Sequence, residues 1–503
     1  MAEKRIFCPF FLVFLLFLCY NTVKFLINTE GMMSKPAILL ITCDELNKET
    51  LSSYGNLAID TPNIDGIAAE GVRYERAYTV SPWCLPARCA ILTGLYPHES
   101  GAYSNFRKCP LDNGIPNLFT ELKKEDYHLS MFGKCHFAPV PYGKTRPDKT
   151  LPYDDFKKYY LSLGLDHLDL EDDKQVSVWF MDDWAKEADR DGTLKLCRDA
   201  VWNGAYQKVY PFPSREELHP DVWTAKKAIG HIESADPDTP FFAWVSFSGP
   251  HYPMDAPKRY LDRVRADKLT PRRFADGEFD SPDRIHHKSY HGGGNIDGAG
   301  SVKDRACKHY SEDYWLRMRT NYNANVLLID DMIGEILASA KEKFGEELLV
   351  IFTADHGEML GNHGLWGKHN CGYDEVFHIP LFVRFPHGER VGEFCTDLVN
   401  SLDILPTCLD AAGGKPASVS GKSLYGKIER RYTFAEGEGY LAVTDSQYTY
   451  VHVEKKNEHY RELLDRTRDP YEFENAIDRP DLQEVLATLR GELIDHMIKT
   501  VLP

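Results

Sequence analysis

Six short stretches carry side chains whose types and spacing suit chemistry at a single point. They are Asp44-Glu45, the run Cys84-Leu85-Pro86-Ala87-Arg88, Lys134-Cys135-His136, His251 in Gly-Pro-His-Tyr-Pro, Asp355-His356, and Lys368 in Trp-Gly-Lys-His-Asn. Asp44, Glu45 and Asp355 would repel one another and raise one another's pKa values if gathered without a cation. A divalent metal resolves that conflict. Oxygen ligands favour Ca²⁺ or Mg²⁺, and the imidazole of His356 admits Mn²⁺ or another transition metal. A single Asp at the end of a strand is equally well explained as a helix N-cap, and the second acidic pair tips the balance toward a metal. Cys84 stands two residues before Pro86, which suits the first turn of a helix. Free amides and the helix dipole favour an anion there, and Arg88 adds a fixed charge one turn on. A thiol so placed has a lowered pKa. Taken alone, a structural, half-buried cysteine is the plainer reading of that stretch.

These residues need elements to position them. Four apolar runs read as buried strands: Ala37–Thr42, His128–Gly133, Phe241–Phe247 and Leu348–Thr353. Each is followed within a few residues by one of the groups above. In open α/β sheets, ligands sit at the carboxyl ends of the strands. From Pro36 to about Leu424, apolar runs alternate with amphipathic segments, which predicts an α/β domain with a large, mostly parallel sheet sandwiched by helices. Val326–Ala340 has helical spacing and is expected to pack on that sheet, with Asp330 and Asp331 on its exposed side. His363 and His369 read as peripheral. Lys258–Asp304 turns polar and reads as a long surface loop, either lining a cleft or simply mobile. Beyond Lys427, the runs Arg430–Glu436, Tyr440–Asp445 and Tyr448–Glu454 alternate as antiparallel strands do, and Leu482–Lys499 reads as a closing helix. The expected organisation is a leader at 1–31, a catalytic domain at 36–426 and a small C-terminal α+β subdomain at 427–503.

Bulk properties narrow the class. With 43% hydrophobic residues, the 503-residue chain can bury a sizeable core. Its formal net charge of −17 lacks the basic footprint of a general nucleic-acid binder, so no nucleic-acid partner is expected. Lys4 and Arg5 precede an apolar run, Ile6–Tyr20, shorter than the roughly 20 residues that span a bilayer. That is the grammar of a signal peptide, with Thr29 and Gly31 as small residues near a cleavage point. An uncleaved anchor extended through Leu26 is the second reading. Either makes the protein exported: periplasmic, secreted or membrane-anchored. The twelve cysteines form no C-x-x-C pair, and there is no Asn-x-Ser/Thr sequon.

The run Cys84-x-Pro86-x-Arg88 followed by CAILTG resembles the signature of the formylglycine-dependent sulfatases of the alkaline phosphatase superfamily. Its flanks, Thr61–Pro82 and Gly94–Tyr103, agree. So do Asp44-Glu45, Lys134-x-His136, His251-x-Pro253 and the run from Thr353 to His369. The resemblance covers residues 36 to about 480 in order. Glu45 stands where that family commonly has Asp or Gln, and Leu85 where small residues are more usual. The resemblance implies an alkaline-phosphatase-like fold and oxidation of Cys84 to formylglycine by a separate maturation enzyme. One hydroxyl of the hydrated aldehyde, acidified by the metal, attacks the sulfur of a sulfate ester, and the alcohol leaves. The second hydroxyl would then lose its proton and expel sulfate by re-forming the aldehyde. It further implies Asp44, Glu45, Cys84, Asp355 and His356 at the metal, most simply Ca²⁺. Arg88 and Lys134 would hold the hydrate, His136 would take the second proton, and His251 and Lys368 would contact sulfate and protonate the leaving oxygen.

Two other readings stand beside a sulfuric ester hydrolase acting on a sulfated carbohydrate or a small sulfate ester. One is a phosphonate monoester or phosphodiester hydrolase of the same superfamily, which the Lys134-x-His136 pair disfavours. The other is an unmodified relative that only binds sulfated ligands, which the filled catalytic positions disfavour.

Overall fold

The run AILLITCD forms a strand, Ala37–Asp44 (β1), buried at all eight positions. A strand apolar on both faces has to lie inside a sheet covered on both sides. It does so in the computed structural model, which describes residues 35–106, 109–140, 150–203, 209–292, 307–368, 372–415, 418–455 and 458–501. The other expected strands are present as His128–Gly133 (β3), Phe241–Pro250 (β5) and Leu348–Ala354 (β6). Four more complete the sheet: Val72–Tyr78 (β2), His167–Leu170 (β4), Leu381–Arg384 (β7) and Glu393–Asn400 (β8). The order is β8-β2-β7-β6-β1-β5-β3-β4. Only β7 runs antiparallel to its neighbours. β6, β1, β5, β3 and β4 are mutually parallel, so their carboxyl ends share one edge.

The helices on this sheet follow from their caps and faces. The expected helix over 326–340 is the central part of a longer one, Glu312–Phe344, capped by Ser311, whose side chain accepts from the Tyr314 amide. Its first turns look too polar for a packed helix, yet Asn321, Asn323 and Asn325 are all buried. Each satisfies its amide on the carbonyl four residues back, at 2.8–3.1 Å. The expectation for Asp330 is corrected. It is fully buried, and its carboxylate accepts from the Ile64 amide at 2.8 Å and Asn63 Nδ2 at 2.9 Å, tying down the start of helix Pro62–Ala69. Asp331 keeps partial exposure and pairs with Arg263.

The polar stretch after Lys258 is more ordered than a plain loop as far as His291. It contains short helices at Lys258–Leu261 and His287–His291. Arg284 clamps it to the C-terminal sheet through Glu462 at 2.9 Å and the Phe473 carbonyl at 2.8 Å. The expected loop residues from 293 onward, the leader at 1–31 and His369 lie outside the described residues. Among the described residues, no helix is long and apolar enough to cross a membrane. Nine cysteines among the described residues are free and buried.

The C-terminal texture resolves into an antiparallel sheet of Thr433–Gly437 (β9), Tyr440–Thr444 (β10), Tyr448–Lys455 (β11) and Glu458–Asp465 (β12). Helix Gln483–Val501 covers it, packing Leu486, Leu489 and Leu493 against Val443, Tyr450 and Leu463. A polar clasp joins this module to the turn after the Cys84 helix. Glu436 Oε2 accepts from His98 Nδ1 at 2.6 Å, and Oε1 from His496 Nε2 at 2.7 Å. These nitrogens and oxygens touch as hydrogen-bonding pairs. Burial lowers the pKa of His98, but Glu436 overrides it and raises the value above its ordinary 6.5. Burial pushes the Glu436 carboxyl up, and the two imidazoles outweigh it and hold the group below its ordinary 4.5. The His98 contribution is full below pH 6.5 and fades as pH rises through its folded value. The Glu436 contribution is full above pH 4.5 and fades on further acidification. The melting temperature lost in Glu436→Gln is therefore expected to be larger at pH 5.5 than at pH 8.5. Equal losses at both pH values would contradict a charged clasp.

Candidate active site

β1 ends at Asp44, and the chain turns at once through Glu45 with φ 62°. β6 delivers Asp355, whose Oδ1 accepts from the Glu45 and His356 amides at 3.0 and 2.9 Å. β3 ends at Gly133, where a Cβ would sit 2.1 Å from the Ser246 carbonyl oxygen, so only glycine lets the chain turn into Lys134. His136 follows with φ 51°. Positive φ at non-glycine residues is costly and clusters at working sites.

Cys84 is the first residue of a helix, Cys84–Thr93, in which every residue is buried. Pro86 fits its first turn because an N–H there has no helical partner to lose. The Leu85 amide is satisfied by Asn105 Oδ1 at 3.0 Å. Arg88 is fully buried. Its Nε donates to Asp355 Oδ2 at 2.9 Å, and its Nη1 to Ser246 Oγ at 2.6 Å and the Lys134 carbonyl at 3.0 Å.

Around Cys84 the expected residues fall into two contacting groups, one of ligand atoms and one of cations. In the first, Asp44, Cys84, Asp355 and His356 each offer a ligand atom, all within 4.8 Å of one another. His356 Nε2 lies 3.3 Å from Cys84 Sγ and 3.8 Å from both Asp44 Oδ1 and Asp355 Oδ1. The second group is cationic. Lys134 Nζ donates to Asp44 Oδ2 and, at 2.7 Å, to Asp173 Oδ2. Glu45 stands apart from the four clustered ligand groups. Its Oε2 faces Lys368 Nζ and His251 Nε2, both at 3.1 Å. His363 is buried and bonded to Glu278 at 2.7 Å.

The electrostatics follow from this packing. Burial and Asp44 push the Cys84 thiol up, but Lys134, Lys368 and His356 outweigh them and bring it down to about 7. Burial also opposes ionisation of Asp44, yet Lys134, His251 and Lys368 hold its carboxyl well below the usual range. Burial and that fixed charge push Asp355 up to about 6, against His356 and Arg88. Burial, with Lys134 beside it, takes His136 down to about 4, so its ring is neutral at pH 7. Burial and Lys368 likewise hold His251 well below its ordinary value.

Asp44 Oδ1, Arg88 Nη2 and both ring nitrogens of His136 are buried without a hydrogen-bond partner among the described residues. Orphaned buried polar atoms are costly and rare. Two facing carboxylates, an imidazole and a thiolate-like sulfur suit a divalent cation, and the donors opposite suit a tetrahedral oxyanion.

Reading the sequence missed three contributors. Ser246 holds Arg88. Asp172 Oδ1 accepts from the His136 amide at 2.7 Å. Asp173 bonds Lys134. Both aspartates follow β4, whose four-residue run HLDL precedes Glu171-Asp172-Asp173. That repeats the pattern of a strand followed by acids seen at Asp44-Glu45, and it was the signal available.

Comparison with known proteins agrees with this geometry. The Sulfatase family model matches residues 36–414, and the model for the C-terminal part of N-sulphoglucosamine sulphohydrolase matches residues 361–499. The chain belongs to the sulfatase family, a family of sulfuric ester hydrolases built on a mixed, mostly parallel sheet with a small antiparallel C-terminal sheet. An arylsulfatase of Clostridium perfringens is 28% identical, with 92% of this chain and 94% of that protein covered. An N-acetylglucosamine-6-O-sulfatase of Bacteroides thetaiotaomicron is 26% identical, covering 78% and 71%. Among solved structures, a phosphonate monoester hydrolase of Agrobacterium radiobacter superposes with a TM-score of 0.75 at 22% identity, covering 92% and 96%.

Proposed function

We propose that this protein is an exported enzyme that hydrolyses sulfate esters of a carbohydrate, using Cys84 converted to formylglycine and one divalent ion. The observation behind this reading is a pair of facts: Asp44, Cys84, Asp355 and His356 bring their ligand atoms together, and Asp44 Oδ1, Arg88 Nη2 and the His136 ring are buried without a hydrogen-bond partner among the described residues. These atoms call for a cation and an anion. Export rests on the charged start and apolar run of the leader, and conversion of Cys84 on a separate formylglycine-generating enzyme. The carbohydrate reading is supported by the hexosamine sulfatase among the relatives.

Asp44, Asp355 and His356, together with position 84, would hold the ion, with Ca²⁺ as first choice and Mg²⁺ or Mn²⁺ as the others. When bound, the ion supplies Lewis acidity to oxygens at position 84 and on the sulfate. Arg88, anchored by Asp355 and Ser246, presents its remaining Nη2 donor to the hydrated side chain at 84. Lys134 adds positive charge beside it. His136, kept neutral by burial, accepts the proton from the second hydroxyl when sulfate is expelled. His251 Nε2 and Lys368 Nζ, gathered on Glu45, contact the ester oxygens, and Lys368 supplies the proton that the leaving alcohol needs.

A phosphonate monoester hydrolase is the competing reading, and its fold-level support is real. Lys134 and His136 speak against it, since the sulfatase resemblance rests in part on that charge and base. Parallel assays with 4-nitrophenyl sulfate, phenyl 4-nitrophenyl phosphonate and a panel of sulfated hexosamines decide between them. The sulfate esters are expected to show the higher kcat/KM, with a sulfated sugar the best substrate. Dominant phosphonate turnover would overturn the assignment.

A further inference from the structure

We propose that Asp173 is a positioning residue for the reaction at position 84, acting through the Lys134 ammonium. This rests on the hydrolytic reading above. Asp173 is not among the residues singled out from the sequence, and it follows the edge strand of the sheet. Four features converge on it. Its Oδ2 accepts from Lys134 Nζ at 2.7 Å with the side chain only 4% exposed. The same oxygen lies 4.0 Å from His251 Nδ1, and Asp44, Asp173 and His251 form a second group with ligand-type atoms within 4.8 Å. Its other oxygen is fixed by the Gln175 amide at 2.7 Å, at the start of the short helix Lys174–Ser177. Its backbone sits at φ 137°, ψ 138°, a conformation that L residues rarely adopt and that persists only where surroundings enforce it. The next residue, Lys174, ties the same segment to the turn carrying His251, through Asp255 Oδ1 at 2.9 Å and the Pro253 carbonyl at 3.0 Å.

The physical need is a division of labour between two carboxylates. Asp44 has two calls on it, the Lys134 ammonium and a cation shared with Asp355. An ammonium has three donors. With Asp173 holding one donor firmly, Lys134 stays in place when Asp44 turns its oxygens to a cation. Its third donor then remains aimed at the reacting group. Without Asp173, the long side chain has only Asp44 to lean on and follows that carboxylate.

The test is a double-mutant cycle on the mature enzyme, with metal content and formylglycine occupancy measured for every variant. Asp173→Asn keeps the shape and removes the charge. Asp173→Gly removes the carboxylate and accepts the positive φ without strain, so it guards against a folding failure in the first variant. Both are expected to lower kcat by about 10²-fold with KM changed far less, the size of losing one oriented donor. Metal content and formylglycine occupancy should match wild type. Combining either with Lys134→Ala should cost no more than Lys134→Ala alone, because the two act as one unit. Wild-type kcat in both variants, or losses that multiply with Lys134→Ala, would overturn the inference. The cycle is run on whichever ester the wild type turns over fastest, so a wrong substrate class would show in the wild type and leave the coupling measurable.

Discussion

Cys84→Ala, produced alongside a formylglycine-generating enzyme, is expected to lose hydrolysis of 4-nitrophenyl sulfate by about four orders of magnitude or more. Removing a nucleophile that acts as one unit with its activating groups costs as much as removing the whole unit. Here that unit is built on position 84. The thiol is at the start of a fully buried helix, against His356 at 3.3 Å, and in the field of Lys134 and Lys368. Its sulfur lies in one group with ligand atoms of Asp44, Asp355 and His356. Mass spectrometry of the peptide spanning Ser81–Arg88 accompanies the assay. Wild type should lack the thiol mass and carry the aldehyde or its hydrate. An unmodified thiol together with turnover would place the nucleophile elsewhere. An unmodified thiol with tight binding of sulfated sugars and no turnover would instead favour a binding protein.

The second large effect concerns the ion. Chelation of divalent cations is expected to reduce turnover by about 10³-fold or more, with recovery on adding back Ca²⁺ or its competitor Mg²⁺ or Mn²⁺. The same chelation should lower the melting temperature, and by more at pH 8 than at pH 5. The sign follows from Asp355. Burial and the Asp44 charge raise its folded value to about 6, above its ordinary 3.8. A raised carboxyl stabilises the ion-free fold when protonated, fully below pH 3.8, and that contribution is lost as pH rises through about 6. At pH 8 the ion-free protein therefore holds two buried, facing carboxylates, and an ion relieves their repulsion. At pH 5 a proton on Asp355 already does so, and it competes with the ion. An ion present at about 100 times its dissociation constant adds about 2.7 kcal/mol of stability, enough to read in a thermal melt. A melt indifferent to chelation at pH 8 would contradict a metal at Asp44, Asp355 and His356.

Much of this was legible in the residues. β1, β3, β5 and β6 were readable because a strand covered on both faces must be apolar along its whole length, and their ends had to carry polar groups. β2, running Val-Arg-Tyr-Glu-Arg-Ala-Tyr, hid because it alternates and tolerates charge on its half-covered face. β4 hid because four residues are too few for a period to show. The long helix Glu312–Phe344 was only half visible, since its buried asparagines consume their own amides on the backbone and so look exposed in sequence. Asp330 misled for a related reason. Nothing local marks a carboxylate that serves amides more than 260 residues away.

The residues alone pointed to many of the side chains that meet. Their types, their place just after apolar runs, and the helix-starting proline beside Cys84 limit how they can be arranged, because strand ends in a parallel sheet share an edge. What only folding in three dimensions decided is which carboxylate serves which cation. Asp44 and Asp355 face His356 and Cys84, Glu45 turns to His251 and Lys368, and Asp173 arrives from the far edge strand to hold Lys134. Pairing of buried charges depends on distances of a few ångströms between segments far apart in the chain, and local sequence carries no record of them.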